Sequence, residues 1–387
     1  MLSDELHRTR EFLKISHTLL DTRQLMPYNI NVERSTLEAG MAGIIDIAKA
    51  SGVSRETVSR ILNGKYKGRT EKSRAIMQWV RKEAGRINYR LNNAARTMRT
   101  TSSRLIGIVI EEKSLMTHPV ITETLKGINE ILEESDYMLT ITSLSGIRES
   151  TLESRIFKEH LLDGIIIVDN IDSARARMMK SIIPACIMVN MNYWEDRFCV
   201  RRDEYDAGRT AGSELLQLGY KRALYFDFDI QRYSNKIHHY SAKDRISGFK
   251  AGFEGNKTEI VVIKDDPTTF HEYLEKNLNA ITPYTVLVAA NNLRLFSLTS
   301  ALSCLSLKAG NDCGLVSLDD ETGFLRTFPF LSRVSFPRME IGRIAGQMIV
   351  SLLKGDAKKC ASTKIKGKWI AGTTTRNLNA KMGGCII

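Results

Sequence analysis

No apolar run in this sequence approaches the ~18 residues that a bilayer-crossing helix needs, and the opening MLSDELHRTREF lacks the basic-then-apolar order of a secretory leader. Both absences make the cytoplasm the expected compartment, with no membrane partner. Proline is scarce, 7 in 387 residues, while 43% of the residues are hydrophobic, which excludes a fibrous or wholly disordered chain. The length suggests two or three domains. The six cysteines include no C-x-x-C pair, so neither a redox motif nor a zinc ribbon is present and most are expected to be core thiols. Cys385 stands third from the end, which is the wrong spacing for prenylation.

Catalytic signatures are missing too. Gly252 to Thr258 imitates a phosphate-binding loop but separates the glycine from Lys257, and His271-Glu272 lacks the second histidine of a zinc-protease helix. No G-x-S-x-G elbow occurs, and His238-His239 reads as an isolated pair on a surface loop. The chain is therefore not expected to be an enzyme, and no cofactor or metal is implied.

What is present is charge in one place. The net charge is +12, and residues 41–104 hold 15 Lys or Arg against four acids (Asp46, Glu56, Glu71, Glu83), a local net of +11. Residues 1–40 carry five bases and six acids, and residues 105–387 carry 36 and 34. Such asymmetry marks a nucleic-acid-binding module joined to a near-neutral body.

Within the basic segment the apolar spacing predicts three helices: Ile45 to Ser51, Ser54 to Leu62, and Glu71 to about Ile87. Gly52 is a natural stop and Ser54 a natural N-cap, which is helix-turn-helix spacing. Ile47, Ala48, Val53, Val58, Ile61 and Leu62 are expected inside, leaving Arg55, Glu56, Ser59 and Arg60 on the outer face of the second helix. From Leu105 onward, short apolar runs alternate with amphipathic stretches. LIGIVI, YMLTI, GIIIV and ACIMV, then ALYFDF, EIVVI, TVLVA and GLVSL, read as buried parallel strands. Helices are expected from Asp206 to Leu218 and from Arg338 to Leu353. Two groups of four strands predict two doubly wound α/β lobes, with a ligand cleft beyond the carboxyl ends of the strands.

The run IIDIAKASGVSRETVSRILNG (Ile44 to Gly64) resembles the DNA-binding head of the lactose and purine repressor family, and its VS..TVSR.LN core is specific to it. The resemblance continues through INYRLNNAARTM, VRRDEYDAGRTAG, ELLQLGYKRALYF, KDRISGFKAG, VLVAANN, GLVSLDD and FPRMEIGRIAG, covering roughly residues 43–375. It implies an all-α head on a two-lobed core like that of periplasmic sugar-binding proteins. It also implies a homodimer on a palindromic double-stranded DNA operator, working at the nucleoid as a transcription regulator, most often a repressor. A small effector, a sugar or a sugar derivative, then controls operator affinity. The chain divides accordingly into an N-terminal extension (1–40), the head (41–92), a hinge and linker (93–103), the effector and dimerisation core (104–375) and a tail (376–387). The rival reading is a soluble sugar-binding protein or carbohydrate-acting enzyme of similar lobed fold, which leaves the basic head unexplained.

The chemistry of the named residues fits. Arg55 and Arg60 can each donate two hydrogen bonds to guanine O6 and N7, and Glu56 can accept from cytosine N4. Ser54, Thr57, Ser59 and Asn63 suit phosphate contacts that fix the register. By resemblance, Asn93 to Thr100 is a hinge helix that enters the minor groove, with Ala95 among its contacts and Met98 as the wedge between base pairs. Most relatives have Leu there, and the usual Pro after Asn88-Tyr89 is replaced by Arg90. The third helix also runs about one turn longer than the family pattern. In the core, Arg245, Asn291 and Asp319 match effector positions, Asn292 replaces a common Asp, and Asn190, Trp194 and Phe226 are weaker pocket candidates, with Asn190 counted among the expected effector residues.

Overall fold

The computed structural model describes residues 43–87, 89, 102–111, 119–144, 161–169, 171–227, 239–264, 270–320, 325 and 328–379. The extension, Ala95, Met98 and His238 lie outside these. The chain separates into two units, Met1–Asn93 and Ala94–Ile387.

The head contains α1 (Ile44–Ser51), α2 (Arg55–Leu62) and α3 (Glu71–Arg86). Gly52 ends α1 in the left-handed region at φ 63°, a conformation that costs glycine no Cβ clash. Ser54 caps α2 by accepting from the Thr57 amide, and Thr70 with Ser73 forms a reciprocal cap on α3. Ile47, Val58, Ile61, Val80 and Ala84 make the buried centre, flanked by Ala48, Val53, Leu62 and Tyr66. Burying a side chain of the Val or Ile size contributes about 1.5–3 kcal/mol. So small a unit depends on each of them.

The larger unit holds two lobes. The first contains β1 (Leu105–Ile110), α4 (Pro119–Glu134), β2 (Met138–Ser143), β3 (Gly164–Val168), α5 (Ser173–Ile182), β4 (Cys186–Val189) and β5 (Cys199–Asp203). The second contains α6 (Glu204–Gln217), β6 (Arg222–Phe226), α7 (Tyr240–Ala251), β7 (Glu259–Ile263), α8 (Phe270–Lys276), β8 (Thr285–Ala289), α9 (Asn292–Cys304), β9 (Gly314–Ser317) and β10 (Ser332–Ser335). Then α10 (Arg338–Leu353) returns to the first lobe, followed by β11 (Thr363–Lys366) and β12 (Lys368–Ile370).

Each sheet has six strands, not the four expected: β11-β5-β4-β3-β1-β2 and β12-β10-β9-β8-β6-β7. The missed strands are polar or short. CVRRD carries two arginines, SRVS has an arginine between serines, and TKIK and KWI carry lysine, so none of the four reads as a buried run. The expectation that YMLTI is buried is also corrected. β2 is an edge strand, half exposed, because it has a neighbour on only one side. All pairings but β10 with β12 are parallel.

Three short spans join the lobes. Asp203 ends β5 and Glu204 begins α6; Phe336 and Pro337 link β10 to α10; Gly367 alone separates β11, paired with β5, from β12, paired with β10. Within each lobe one helix pair packs backbone against backbone. A Cβ on Gly208 would land on the Arg245 carbonyl and one on Gly248 on the Tyr205 carbonyl, so α6 and α7 touch only because both are glycine. Gly127 and Gly342 do the same for α4 and α10, against the Met339 and Thr124 carbonyls. Residues 376–379, read as tail, are tied to the second lobe: the Arg376 amide donates to the Tyr220 hydroxyl and the Leu378 amide to the Leu218 carbonyl.

Candidate functional site

On the head, the cap at Ser54 decides where α2 begins and therefore which side chains face out. Val58 and Ile61 are buried, while Arg55, Glu56 and Arg60 are exposed and Ser59 is half-buried. The Arg60 guanidinium lies 5.9 Å from the Tyr66 ring, which restricts it before any partner arrives. Ser54 and Thr57 share a hydroxyl contact of 2.9 Å, and Asn63 donates to the Ser59 carbonyl at 2.7 Å. These polar groups serve the helix ends first. What stands clear of the protein is an Arg, Glu, Arg face on one short helix, the donor and acceptor set that distinguishes base pairs in a major groove.

The second site lies where the lobes meet. Arg245, on the face of α7 that meets α6, donates from Nε to Glu204 at 2.9 Å and from Nη1 to the Ala290 carbonyl. Glu204 also takes Arg202 at 3.0 Å. Arg202, at the end of β5 in the first lobe, reaches Asp319, just past β9 in the second, at 3.3 Å. Arg338, at the start of α10, pairs with Asp319 and with Asp320 at 2.7 Å. Arg333 lies 3.4 Å from Asp320. Burial alone would raise the Asp319 carboxyl, but Arg202 and Arg338 hold it well below the usual carboxylate range. Burial works against the charge of Arg202 and Arg245 as well, and Glu204 and Asp319 outweigh it, so both arginines are raised.

Arg245, Asp319 and Asn190 converge on this junction with polar atoms already engaged, and Asn291 follows Ala290, whose carbonyl takes Arg245. Asn190 accepts the Arg202 amide at 3.2 Å with its side chain, and its backbone sits at φ 53°. Asn291 caps α9 by accepting from the Arg294 amide at 3.0 Å. Trp194 stacks on Arg201. Phe226 is fully buried against Phe270 and belongs to the core, not to a pocket.

Sequence reasoning missed His239. It is no surface loop residue: its side chain is 11% exposed. It caps α7 through Ser241 and points Nε2 at the Asn190 carbonyl, 2.7 Å away across the lobes. Asp169, at φ 69° after β3, faces the same nitrogen at 3.5 Å. Burial lowers the pKa of this imidazole against the opposing pull of Asp169. Arg202, Glu204 and Arg338 were missed as well. The one available signal was charge at strand and helix ends within otherwise apolar surroundings. Among the described residues no three side chains group as metal ligands, and no helix is long and apolar enough to cross a membrane. Cys186, Cys199, Cys313 and Cys360 are buried as expected, and Cys304 is exposed. Burial pushes the Cys186 thiol up to about 12, which leaves it inert.

Two family models match parts of the chain. Residues 43–90 match the family described as bacterial regulatory proteins, lacI family, and residues 213–375 match the periplasmic binding protein-like domain. The HTH-type transcriptional regulator KdgR of Bacillus subtilis is 22% identical over 342 residues, spanning 86% of this chain and 97% of that protein. The HTH-type transcriptional repressor PurR of Vibrio parahaemolyticus is also 22% identical, over 88% of this chain and 100% of its own. Among solved structures, the lac repressor dimer bound to operator and the anti-inducer ONPF superposes with a TM-score of 0.71. The superposition covers 87% of this chain and 99% of that one at 18% identity, which establishes a shared fold.

Proposed function

The chain belongs to the lacI family of bacterial regulatory proteins, and from that premise we propose that it is a repressor whose dimer reads a palindromic operator and whose affinity for it is set by a small sugar-like effector held between the lobes. It is a DNA-binding transcription regulator and not an enzyme. The observation that carries the reading is the exposed Arg55, Glu56 and Arg60 face on a capped helix, inside a segment of net charge +11. In this reading Ser54, Thr57, Ser59 and Asn63 hold phosphates, and Ala95 and Met98 enter the minor groove. A two-fold protein presents two such helices to two half-sites.

Arg245, Asp319, Asn190 and Asn291 are the residues an effector would meet. An effector there shifts operator affinity only if it binds two arrangements of the lobes unequally. Typical allosteric coupling of about 1–3 kcal/mol would change operator affinity about 5 to 150-fold. Selection from a random duplex library tests the DNA half. Recovered sites should be inverted repeats, bound with steep salt dependence. Recovery of no common sequence would return the chain to the lobed sugar-binding class.

A further inference from the structure

Resting on the effector reading above, we propose that the effector carries an anionic group, a carboxylate or a phosphate ester, and that Arg201 is the side chain that grips it. Every other arginine described at the lobe junction is committed. Arg202 and Arg245 share Glu204, Arg333 and Arg338 take Asp320, and Arg294 donates to the Asp227 carbonyl. The Arg201 side chain has no hydrogen bond or ion pair among the described residues, and its Nε is buried without an acceptor.

Its position is nonetheless fixed. The guanidinium carbon lies 4.6 Å from the Trp194 ring and 4.6 Å from the Tyr240 ring. Stacked rings hold the plane of a guanidinium, but its N–H groups point outward in that plane, so the rings leave the donor fork unsatisfied. A planar fork held in this way matches carboxylate or phosphate oxygens two at a time. The stack spans the junction, because Trp194 precedes β5 in the first lobe and Tyr240 begins α7 in the second.

A second cation points the same way. Lys364 on β11 is the direct ladder partner of Arg201 on β5, and its Nζ lies 5.9 Å from the opposite partner ring, Trp194. Like charges directly opposed on adjacent strands disfavour the sheet. Two steps along the same ladder, Lys366 does have an acid, Asp206 at 3.5 Å. Neither Arg201 nor Lys364 has one among the described residues. An anion from outside completes the arrangement, and one held at the edge of the guanidinium lies beside Trp194 of the first lobe and Tyr240 of the second.

The test is calorimetric titration of the full-length protein at 0.15 M salt with glucuronate, gluconate, glucose 6-phosphate and glucose, on wild type, Arg201→Gln and Lys364→Gln. At least one acid or phosphate ester should bind tenfold or more tightly than glucose, and the two anion types separate carboxylate from phosphate recognition. Arg201→Gln should lose that preference at least tenfold. The exposed Lys364→Gln should lose it a few-fold, which keeps the test open if the first variant folds poorly. Glucose binding as tightly as its acids, retained preference in Arg201→Gln, or no anion binding at all would overturn the proposal. Titrating labelled operator with the same compounds separates the two readings: release by glucose alone keeps the regulator and removes the anion.

Discussion

The imidazole of His239 and the backbone carbonyl of Asn190 meet across the two lobes at 2.7 Å. A carbonyl only accepts, so Nε2 carries the proton and Nδ1 is left to accept from Ser241, capping α7. One ring therefore joins the lobes and starts a helix, and the cap needs it neutral, because a protonated Nδ1 cannot accept from Ser241.

Its pKa gives the first prediction. Burial lowers it below the ordinary ~6.5, with Asp169 and Glu204 pulling upward and Arg202 downward. Between that lower value and ~6.5 the unfolded chain binds more protons than the folded one, so stability falls as pH drops below about 6.5. Urea unfolding at pH 7.5 and 5.5 should show this loss in wild type. His239→Gln, which keeps a donor for Asn190, should show a smaller one. An equal loss would assign the effect to other groups.

Asp319 carries the second. It compensates Arg202 and Arg338, both nearly inaccessible. Removing one member of a buried ionic cluster typically costs about 3–5 kcal/mol because the other charges stay buried. Asp319→Asn should therefore lower unfolding free energy by roughly 3 kcal/mol. Glu272→Gln, breaking an exposed pair with Lys276, should change it by less than about 1 kcal/mol. Comparable losses in the two variants would deny the cluster any structural role.

Two glycine-to-alanine changes should have opposite signs. At Gly208 the new methyl meets the Arg245 carbonyl across α6 and α7, and overpacking of this kind costs about 1–3 kcal/mol. At Gly85, inside α3, nothing lies within 4 Å. Alanine there should stabilise the head by about 0.5–1 kcal/mol through reduced backbone entropy in the unfolded chain. Thermal melts check the first and amide exchange of α3 the second.

Arg60→Ala should cost about 1–3 kcal/mol at one base pair in each half-site and relax preference there. Equal weakening on operator and on random DNA, read by anisotropy, would make Arg60 a phosphate contact.

The head was legible almost to the residue, because caps and apolar spacing are local: Gly52, Ser54 and the inward Ile47, Val58 and Ile61 all stand where the pattern placed them. The central strands were legible for the same reason, each being a short apolar run of its own. The charged strands were not. β5, β10, β11 and β12 owe their place to partners far along the chain, and their arginines and lysines hide them. The charge cluster was half legible. Arg245 and Asp319 stood out through a family likeness, whereas Arg202, Glu204 and Arg338 become meaningful only when β5, α6 and α10 are brought to one junction. His239 misled because the polar run from Gln231 to Lys236 before it reads like any loop, and its burial comes from the opposite lobe.

The three spans between the lobes restrict how the core can deform. None exceeds two residues, and the glycine-backed helix pairs stiffen the body on either side. Two plates tied by three inextensible cords can neither separate nor slide far. What remains is rotation about a line through the ties, with a small displacement near that line growing in proportion to distance from it. A ligand at the junction works on the short arm of this lever, and surfaces at the far ends of the lobes move on the long one.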